Sequence, residues 1–70
     1  MLEIKIVPLQ AIDTRVGDEV HRALGGGHSL HYVIEAIDTD SAGNVVHRFG
    51  NDTGFCRYKP NESLLVRRDA

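Results

Sequence analysis

The sequence predicts an all-β domain, a small closed barrel of five or six short antiparallel strands. Short runs rich in β-branched and aromatic residues recur along the chain, and turn-forming residues separate them about every 8–12 residues. No stretch of ordinary helix length keeps a helical spacing of apolar residues. At 70 residues, closing the sheet is favoured over leaving it open, because closure removes unpaired strand edges.

Residues 30–49 carry the clearest signal, that of a β-hairpin. Two β-rich arms, residues 32–37 and 45–49, flank a polar block of turn formers at residues 38–44. In the first arm apolar side chains fall on both faces, which predicts a long, bent strand shared between two sides of a barrel. The oxygen-rich side chains expected to cap the turn, rather than to bind calcium, are those of Asp38, Asp40 and Asn44.

Two strands and a connector are predicted before the hairpin. Residues 2–7 alternate apolar and polar side chains, and so form a half-buried strand that Pro8 either ends or marks as a sheet edge. Residues 9–15 are too short for a helix of ordinary length and are assigned as a connector packed against the core. A Gly-Asp turn and a short strand follow within residues 16–22, with Val20 pointing inward.

Glycines, turns and short strands fill the rest of the chain. The three glycines at residues 25–27 predict a flexible loop before the hairpin. After the hairpin, residues 51–54 predict a tight turn and residues 55–59 a strand. A single 3-10 turn is predicted near residues 60–63, which a proline opens, and residues 64–68 form the last strand.

The composition indicates a single soluble domain over residues 1–70, with residues 1–15 as its N-terminal strand and connector. Cys56 is the only cysteine, so no disulfide forms within the chain, which fits a reducing compartment. No apolar run approaches the roughly 20 residues of a membrane span, and the alternating N-terminal pattern differs from a signal peptide. We therefore expect a cytoplasmic protein without membrane contact.

Charge is unevenly spread along a chain whose net charge is −2. Residues 1–44 hold three basic and seven acidic side chains, whereas residues 45–70 hold five basic and three acidic ones. A balance this close to neutral gives no argument for nucleic acid from charge alone, yet it leaves room for a local basic face in the second half.

The order of parts over residues 16–68 resembles that of the SH3-like barrel family. The matching pieces are a Val-Gly-Asp-Glu-Val opening strand at residues 16–20, a glycine-rich loop, a Tyr-Val-Ile-Glu-Ala-Ile-Asp strand at 32–38, its Gly-Asn-Val-Val return at 43–46, and a Tyr-Lys-Pro-Asn-Glu-Ser-Leu-Leu segment at 58–65. The resemblance implies a fold but no activity, because it lies in the order of the strands rather than in a motif.

A more distant similarity leads to the small plasmid-borne dihydrofolate reductases that confer trimethoprim resistance, which are tetramers of SH3-like barrels. Their Gly-Asp opening and their final strand–proline–turn–leucine run resemble residues 16–20 and 57–64. In that family an apolar-Gln-Ile-Tyr segment before the proline lines a shared pore and holds both ligands. Residues 56–59, Cys-Arg-Tyr-Lys, stand at the matching positions without those side chains, so neither a catalytic residue nor a cofactor carries over.

The candidate binding face combines aromatic and basic side chains on neighbouring strands. Rings that stack on bases, beside cations that pair with phosphates, suit single-stranded nucleic acid, and the same face would also suit a peptide. In so small a barrel, two or three of the four rings in this set also serve as core; the four are Tyr32, Phe49, Phe55 and Tyr58. The predicted binding residues are Tyr32, His47, Arg48, Arg57, Tyr58 and Lys59.

Three other features give no site. His28 and His31, three residues apart, offer two ligands where a metal site needs three or four, so no metal is predicted. The glycines at residues 25–27 lack the Gly-Lys-Ser/Thr ending of a phosphate-binding loop. Cys56, among aromatic neighbours, is expected in the core rather than as a nucleophile.

These observations favour a non-enzymatic binding module or accessory protein that contacts a protein or nucleic-acid partner through the basic and aromatic face. One alternative is an oligomeric small-molecule-binding protein or enzyme with its site between barrels, which would make the protein a homo-oligomer. A second alternative is a structural or assembly protein whose N-terminal strand, residues 2–7, pairs with a partner's sheet edge.

Overall fold

The computed structural model describes residues 5–68, so the first residues of the predicted strand 2–7 lie outside the described part. The described residues form seven strands and one 3-10 turn, which confirms the all-β prediction. No helix within this part is long and apolar enough to cross a lipid bilayer. The strands are β1 (Lys5–Gln10), β2 (Glu19–Gly25), β3 (His28–Val33), β4 (Ala36–Thr39), β5 (Val45–Phe49), β6 (Gly54–Tyr58) and β7 (Ser63–Arg68), and the 3-10 turn spans Ala11–Asp13.

The strands lie in two antiparallel sheets. Sheet 1 has the order β1-β7-β2-β3, and sheet 2 has the order β4-β5-β6. Between β3 and β4 the chain crosses from one sheet to the other: the Ile34 N–H donates to the Asp18 carbonyl (2.9 Å), and the Glu35 N–H donates to the Arg48 carbonyl (2.8 Å). The first hairpin arm is therefore shared between both sheets, as its two apolar faces predict.

The predicted hairpin is formed by β4 and β5, which pair along the whole of β4. The Asp40 carboxylate caps its turn by accepting hydrogen bonds from the N–H groups of Ala42 (3.0 Å) and Asn44 (2.9 Å). Both hydrogen bonds lower the pKa of Asp40, and the one from the Asn44 N–H has the larger effect. Asp38, also expected in the cap, instead pairs with Arg48 on the neighbouring strand.

The described strands do not close into the predicted barrel. Closure would pair the two free edge strands, β1 and β6, which lie in different sheets and are not hydrogen-bonded to each other. The segment between β6 and β7 bonds to the 3-10 turn instead: the Ala11 N–H donates to the Glu62 carbonyl (2.9 Å), and the Ile12 N–H donates to the Pro60 carbonyl (3.0 Å). Backbone groups of this segment are thus satisfied by the connector rather than by a neighbouring strand.

The 3-10 turn lies earlier in the chain than the sequence predicts. It spans Ala11–Asp13, and both the N–H (3.2 Å) and the hydroxyl (2.6 Å) of Thr14 donate to the Ala11 carbonyl. Residues 59–62 instead form a β-turn, in which the Glu62 N–H donates to the Lys59 carbonyl (3.0 Å), and β7 begins at Ser63. A proline at the second position suits either structure, because both need φ near its fixed value, so the proline does not distinguish them.

The predicted glycine loop is a tight hairpin turn. Gly25 ends β2 opposite His28, which leaves Gly26 and Gly27 as a two-residue turn. Their φ angles are 60° and 80°, the positive values that a type I′ turn requires and that glycine adopts without steric cost. A bulge between Ala23 and Gly25 shifts the register of β2 against β3.

One core fills the space between the sheets. Val20 and Val66 of sheet 1 have no exposed surface. Ile34 at the crossing and Tyr58 of sheet 2 are almost completely buried. Cys56, predicted in the core, is only partly buried and packs against the margin of this cluster. The other core residues are Ala11, Tyr32, Val45 and Leu64.

A buried carboxylate ties the end of β7 to the start of β2. Asp18 is 4% exposed, and its carboxylate accepts two hydrogen bonds from the Arg68 guanidinium (2.9 and 2.7 Å) and one from the Arg15 N–H (2.9 Å). The Arg68 hydrogen bonds are the main reason that the pKa of Asp18 lies below its ordinary value. Because the Asp18 carbonyl also accepts from Ile34, this residue joins three segments.

Replacing Asp18 by Asn keeps the shape of the side chain and removes its charge. We expect D18N to lower the free energy of unfolding at neutral pH by about 2 kcal/mol, because charge-assisted hydrogen bonds weaken. Below about pH 4 the difference should shrink, since the wild-type carboxylate then also takes up a proton. Urea unfolding followed by circular dichroism measures the stability difference at neutral pH and its decrease below about pH 4. D52N is the control, because Asp52 is mostly exposed; equal stability of D18N and D52N would contradict the role of Asp18.

Candidate functional site

Strand alternation divides the predicted binding residues into two sets. The aromatic and histidine side chains point into the interior, where they offer no ring to a base or a peptide. The basic side chains alternate with them along β5 and β6 and stay at the surface. The interior set is Tyr32, His47 and Tyr58, and the surface set is Arg48, Arg57 and Lys59.

The interior set, together with Thr14, forms a buried hydrogen-bond chain. His47 Nε2 lies 2.8 Å from the Thr14 hydroxyl, and His47 Nδ1 lies 2.8 Å from the Tyr32 hydroxyl. The Tyr32 hydroxyl in turn lies 2.8 Å from that of Tyr58. All four side chains are buried, and His47 is 0% exposed. The buried hydrogen-bond chain thus links the connector, sheet 1 and sheet 2.

The direction of these hydrogen bonds follows from the protons available. The Thr14 hydroxyl donates to the Ala11 carbonyl, so it accepts from the Nε2–H of His47. His47 Nδ1 is then the unprotonated nitrogen and accepts from the Tyr32 hydroxyl, which itself accepts from Tyr58. His47 is therefore the neutral Nε2–H tautomer.

Burial shifts the titratable groups of this chain toward their neutral forms. Desolvation lowers the pKa of His47 and is the largest cause of the raised pKa values of Tyr32 and Tyr58. Among residues 5–68, every buried side-chain nitrogen and oxygen has a hydrogen-bond partner. With its polar atoms partnered and out of contact with solvent, the buried hydrogen-bond chain is a structural element rather than a reaction centre.

The outer face of sheet 2 carries the exposed part of the predicted site. Phe55 on β6 lies opposite Arg48 on β5, and Arg57 lies opposite Val46. Phe55 is 59% exposed, whereas Val46 is 6% exposed although it lies outside the core cluster. These four side chains line a depression of about 210 Å³, which we call the sheet 2 depression. Its lining is completed by Asp38, Thr39 and Asp40.

Carboxylates neutralise both arginines of the sheet 2 depression. Arg48 Nε lies 2.6 Å from Asp38, and Arg57 Nε lies 3.0 Å from Asp40. Lys59 is not part of the lining. The surface therefore mixes opposite charges, unlike the basic face that the sequence predicts, and it lacks the excess positive charge that draws a phosphate backbone.

A second cluster of titratable side chains lies on the outer face of sheet 1. His21 on β2 lies directly opposite His31 on β3, and His21 Nε2 lies 2.7 Å from Glu19 Oε1. His28 and His31 are not brought together, because residues three apart in a strand point to opposite faces. Within the described residues, Glu19, His21 and His31 are the one group of three whose ligand atoms lie close enough to share a metal ion.

No protein-family model, curated protein or solved structure matches this chain significantly. The candidate sites are thus defined by geometry alone, and the geometry adds residues that the sequence did not single out. Phe55 is one of them as a binding residue: the sequence grouped it with the aromatic set but not with the binding residues, although its alternation with Arg57 in β6 is a signal that could have identified it. The cluster of Glu19, His21 and His31 is the other, and it depends on a strand register that the sequence does not display.

Burial of His47 predicts a pH-dependent stability. Its pKa is lower in the folded protein, so below about pH 6.5 the unfolded chain takes up a proton that the folded protein does not. We expect the free energy of unfolding to fall from about pH 7.5 to about pH 5, and to fall less in H47Q. Urea unfolding across this range measures both slopes. H28Q, changed at an exposed histidine, should follow the wild type; an H47Q slope equal to that of H28Q would contradict the prediction.

Proposed function

We propose that this protein is a non-enzymatic binding module that docks a protein partner on the outer face of sheet 2. One observation carries the proposal: Phe55 is 59% exposed and lines a depression together with the nearly buried Val46 and two arginines. The cores of protein interfaces are enriched in aromatic residues, phenylalanine included, and in arginine, and arginine is also common among the residues that contribute most of the binding energy. An exposed phenylalanine flanked by arginines therefore has the composition of an interface centre rather than of an ordinary surface.

The sheet 2 depression suits a protein better than a nucleic acid. Arg48 and Arg57 each pair with an aspartate, so a phosphate backbone would have to displace a carboxylate from both. A protein surface can instead offer an apolar side chain to Phe55 and Val46. Its backbone carbonyls can accept from the guanidinium N–H groups that the aspartates leave free.

We also infer an SH3-like strand order with one added strand. The long β3–β4 strand crosses between the sheets, β5 and β6 follow it in sheet 2, and β7 returns beside β2. β1 then pairs with the other edge of β7, so an assembly role for β1 would have to use its remaining edge. Folds of this kind host many unrelated functions, so the site, and not the fold, supports the binding role.

Photo-crosslinking in cells that express the protein tests the docking surface. Benzoylphenylalanine in place of Phe55 should form an adduct with one protein, which mass spectrometry identifies. The same probe in place of Leu24 is the matched control, because Leu24 is 57% exposed but lies on sheet 1. With the partner identified, F55A should weaken its binding at least about tenfold. Equal adducts from both positions, or an F55A protein with unchanged affinity, would contradict the proposal.

The nucleic-acid alternative has its own measurement. Fluorescence anisotropy with a single-stranded oligonucleotide, taken over a salt series, should show no saturable binding to the wild-type protein. Binding that weakens steeply with salt and is lost in the R48E/R57E double variant would instead assign the face to nucleic acid.

A further inference from the structure

Three side chains that commonly bind metal ions meet on the outer face of sheet 1. Glu19 and His21 are two residues apart in β2 and so point to the same face, and the strand register sets His31 directly opposite His21. One ligand atom of each residue lies within 4.8 Å of those of the other two. Two imidazoles and a carboxylate form a donor set that zinc uses in proteins.

The spacing of the cluster is close to that around a bound ion. Zinc–nitrogen and zinc–oxygen bonds of about 2.0–2.2 Å place tetrahedral ligand atoms about 3.4 Å apart. Glu19 and His21 already lie at 2.7 Å, and the rings of His21 and His31 are stacked with their centroids 4.1 Å apart. Binding one ion would open the Glu19–His21 hydrogen bond and turn the stacked rings until their nitrogens converge, changes that rotations of these side chains can supply.

The cluster rests on paired strands rather than on a loop. β2 is hydrogen-bonded to β3 on one side and to β7 on the other, so the backbone holds the three ligands in place. Arg67 of β7 lies opposite Glu19, and its Nη1 is 3.9 Å from Glu19 Oε2. That distance is too long for a hydrogen bond, so the contact is an electrostatic one to the second carboxylate oxygen, while Oε1 lies 2.7 Å from His21.

We propose that Glu19, His21 and His31 bind one divalent transition-metal ion of the zinc class, with water in the fourth position. Imidazole nitrogens favour zinc and copper over calcium and magnesium, which prefer oxygen ligands. The side chains of His21 and Glu19 are 19% and 29% exposed, so water reaches the open position. The site lies on sheet 1, away from the sheet 2 depression, and does not depend on the proposed partner binding.

Isothermal calorimetry of the tag-free protein with Zn²⁺ alone tests the site. We expect saturable binding of one ion per chain. H31A should weaken it at least about tenfold, because the variant removes a ligand from an exposed position without disturbing the core. H28A is the matched control: it removes an exposed histidine of the same strand from the opposite face, and its affinity should stay within about twofold of wild type.

Two further measurements distinguish binding at this site from adventitious binding. C56S removes the thiol, another common zinc ligand, and should bind Zn²⁺ as the wild type does. Ca²⁺ should give no saturable heat of binding. Circular dichroism checks that each variant is folded. The proposal is overturned if the wild type shows no saturable Zn²⁺ binding, if H28A or C56S loses as much affinity as H31A, or if Ca²⁺ binds as tightly as Zn²⁺.

Discussion

The buried hydrogen-bond chain of Thr14, His47, Tyr32 and Tyr58 is the interaction on which the rest of the structure depends. It joins the connector to both sheets in a fold whose edge strands, β1 and β6, are not linked by a backbone ladder. A buried polar group left without a partner costs about 1–3 kcal/mol, so each member constrains the position of the next. These side chains thereby add a buried connection between the sheets to the backbone connection at the β3–β4 crossing.

The same constraint decides which side chains reach the surface. Because His47 faces inward in β5, its neighbour Arg48 faces outward, and β6 repeats this alternation. Because Tyr32 faces inward in β3, its neighbour His31 faces outward on sheet 1. The sheet 2 depression and the histidine cluster are therefore both consequences of one polar interior, even though they lie on different sheets and involve different chemistry.

Local patterns were sufficient for some elements and not for others. The hairpin of β4 and β5 and the crossing strand follow from alternation and from turn residues that are neighbours in sequence. The burial of His47 does not follow from such local patterns, because its hydrogen-bond partners Thr14 and Tyr32 lie 33 and 15 residues away in the sequence. The failure of the predicted barrel to close likewise involves a contact between residues far apart in the sequence, the backbone hydrogen bond from Ala11 to Glu62. Such pairings are set by tertiary packing, which composition and periodicity do not encode.

The bulge in β2 shows how closely core packing and the histidine cluster are linked. Regular pairing from the glycine turn would set His21 opposite Tyr32, whereas the bulge shifts the register by one residue and sets Val20 there. A slip of one residue exchanges the two faces of a strand, so without the bulge His21 would enter the core and Val20 would leave it. Burial of Val20, which is complete, therefore favours the bulged register. That register alone places His21 beside His31 on the outer face, so the candidate metal ligands are held together by the packing of the opposite face of the same strand.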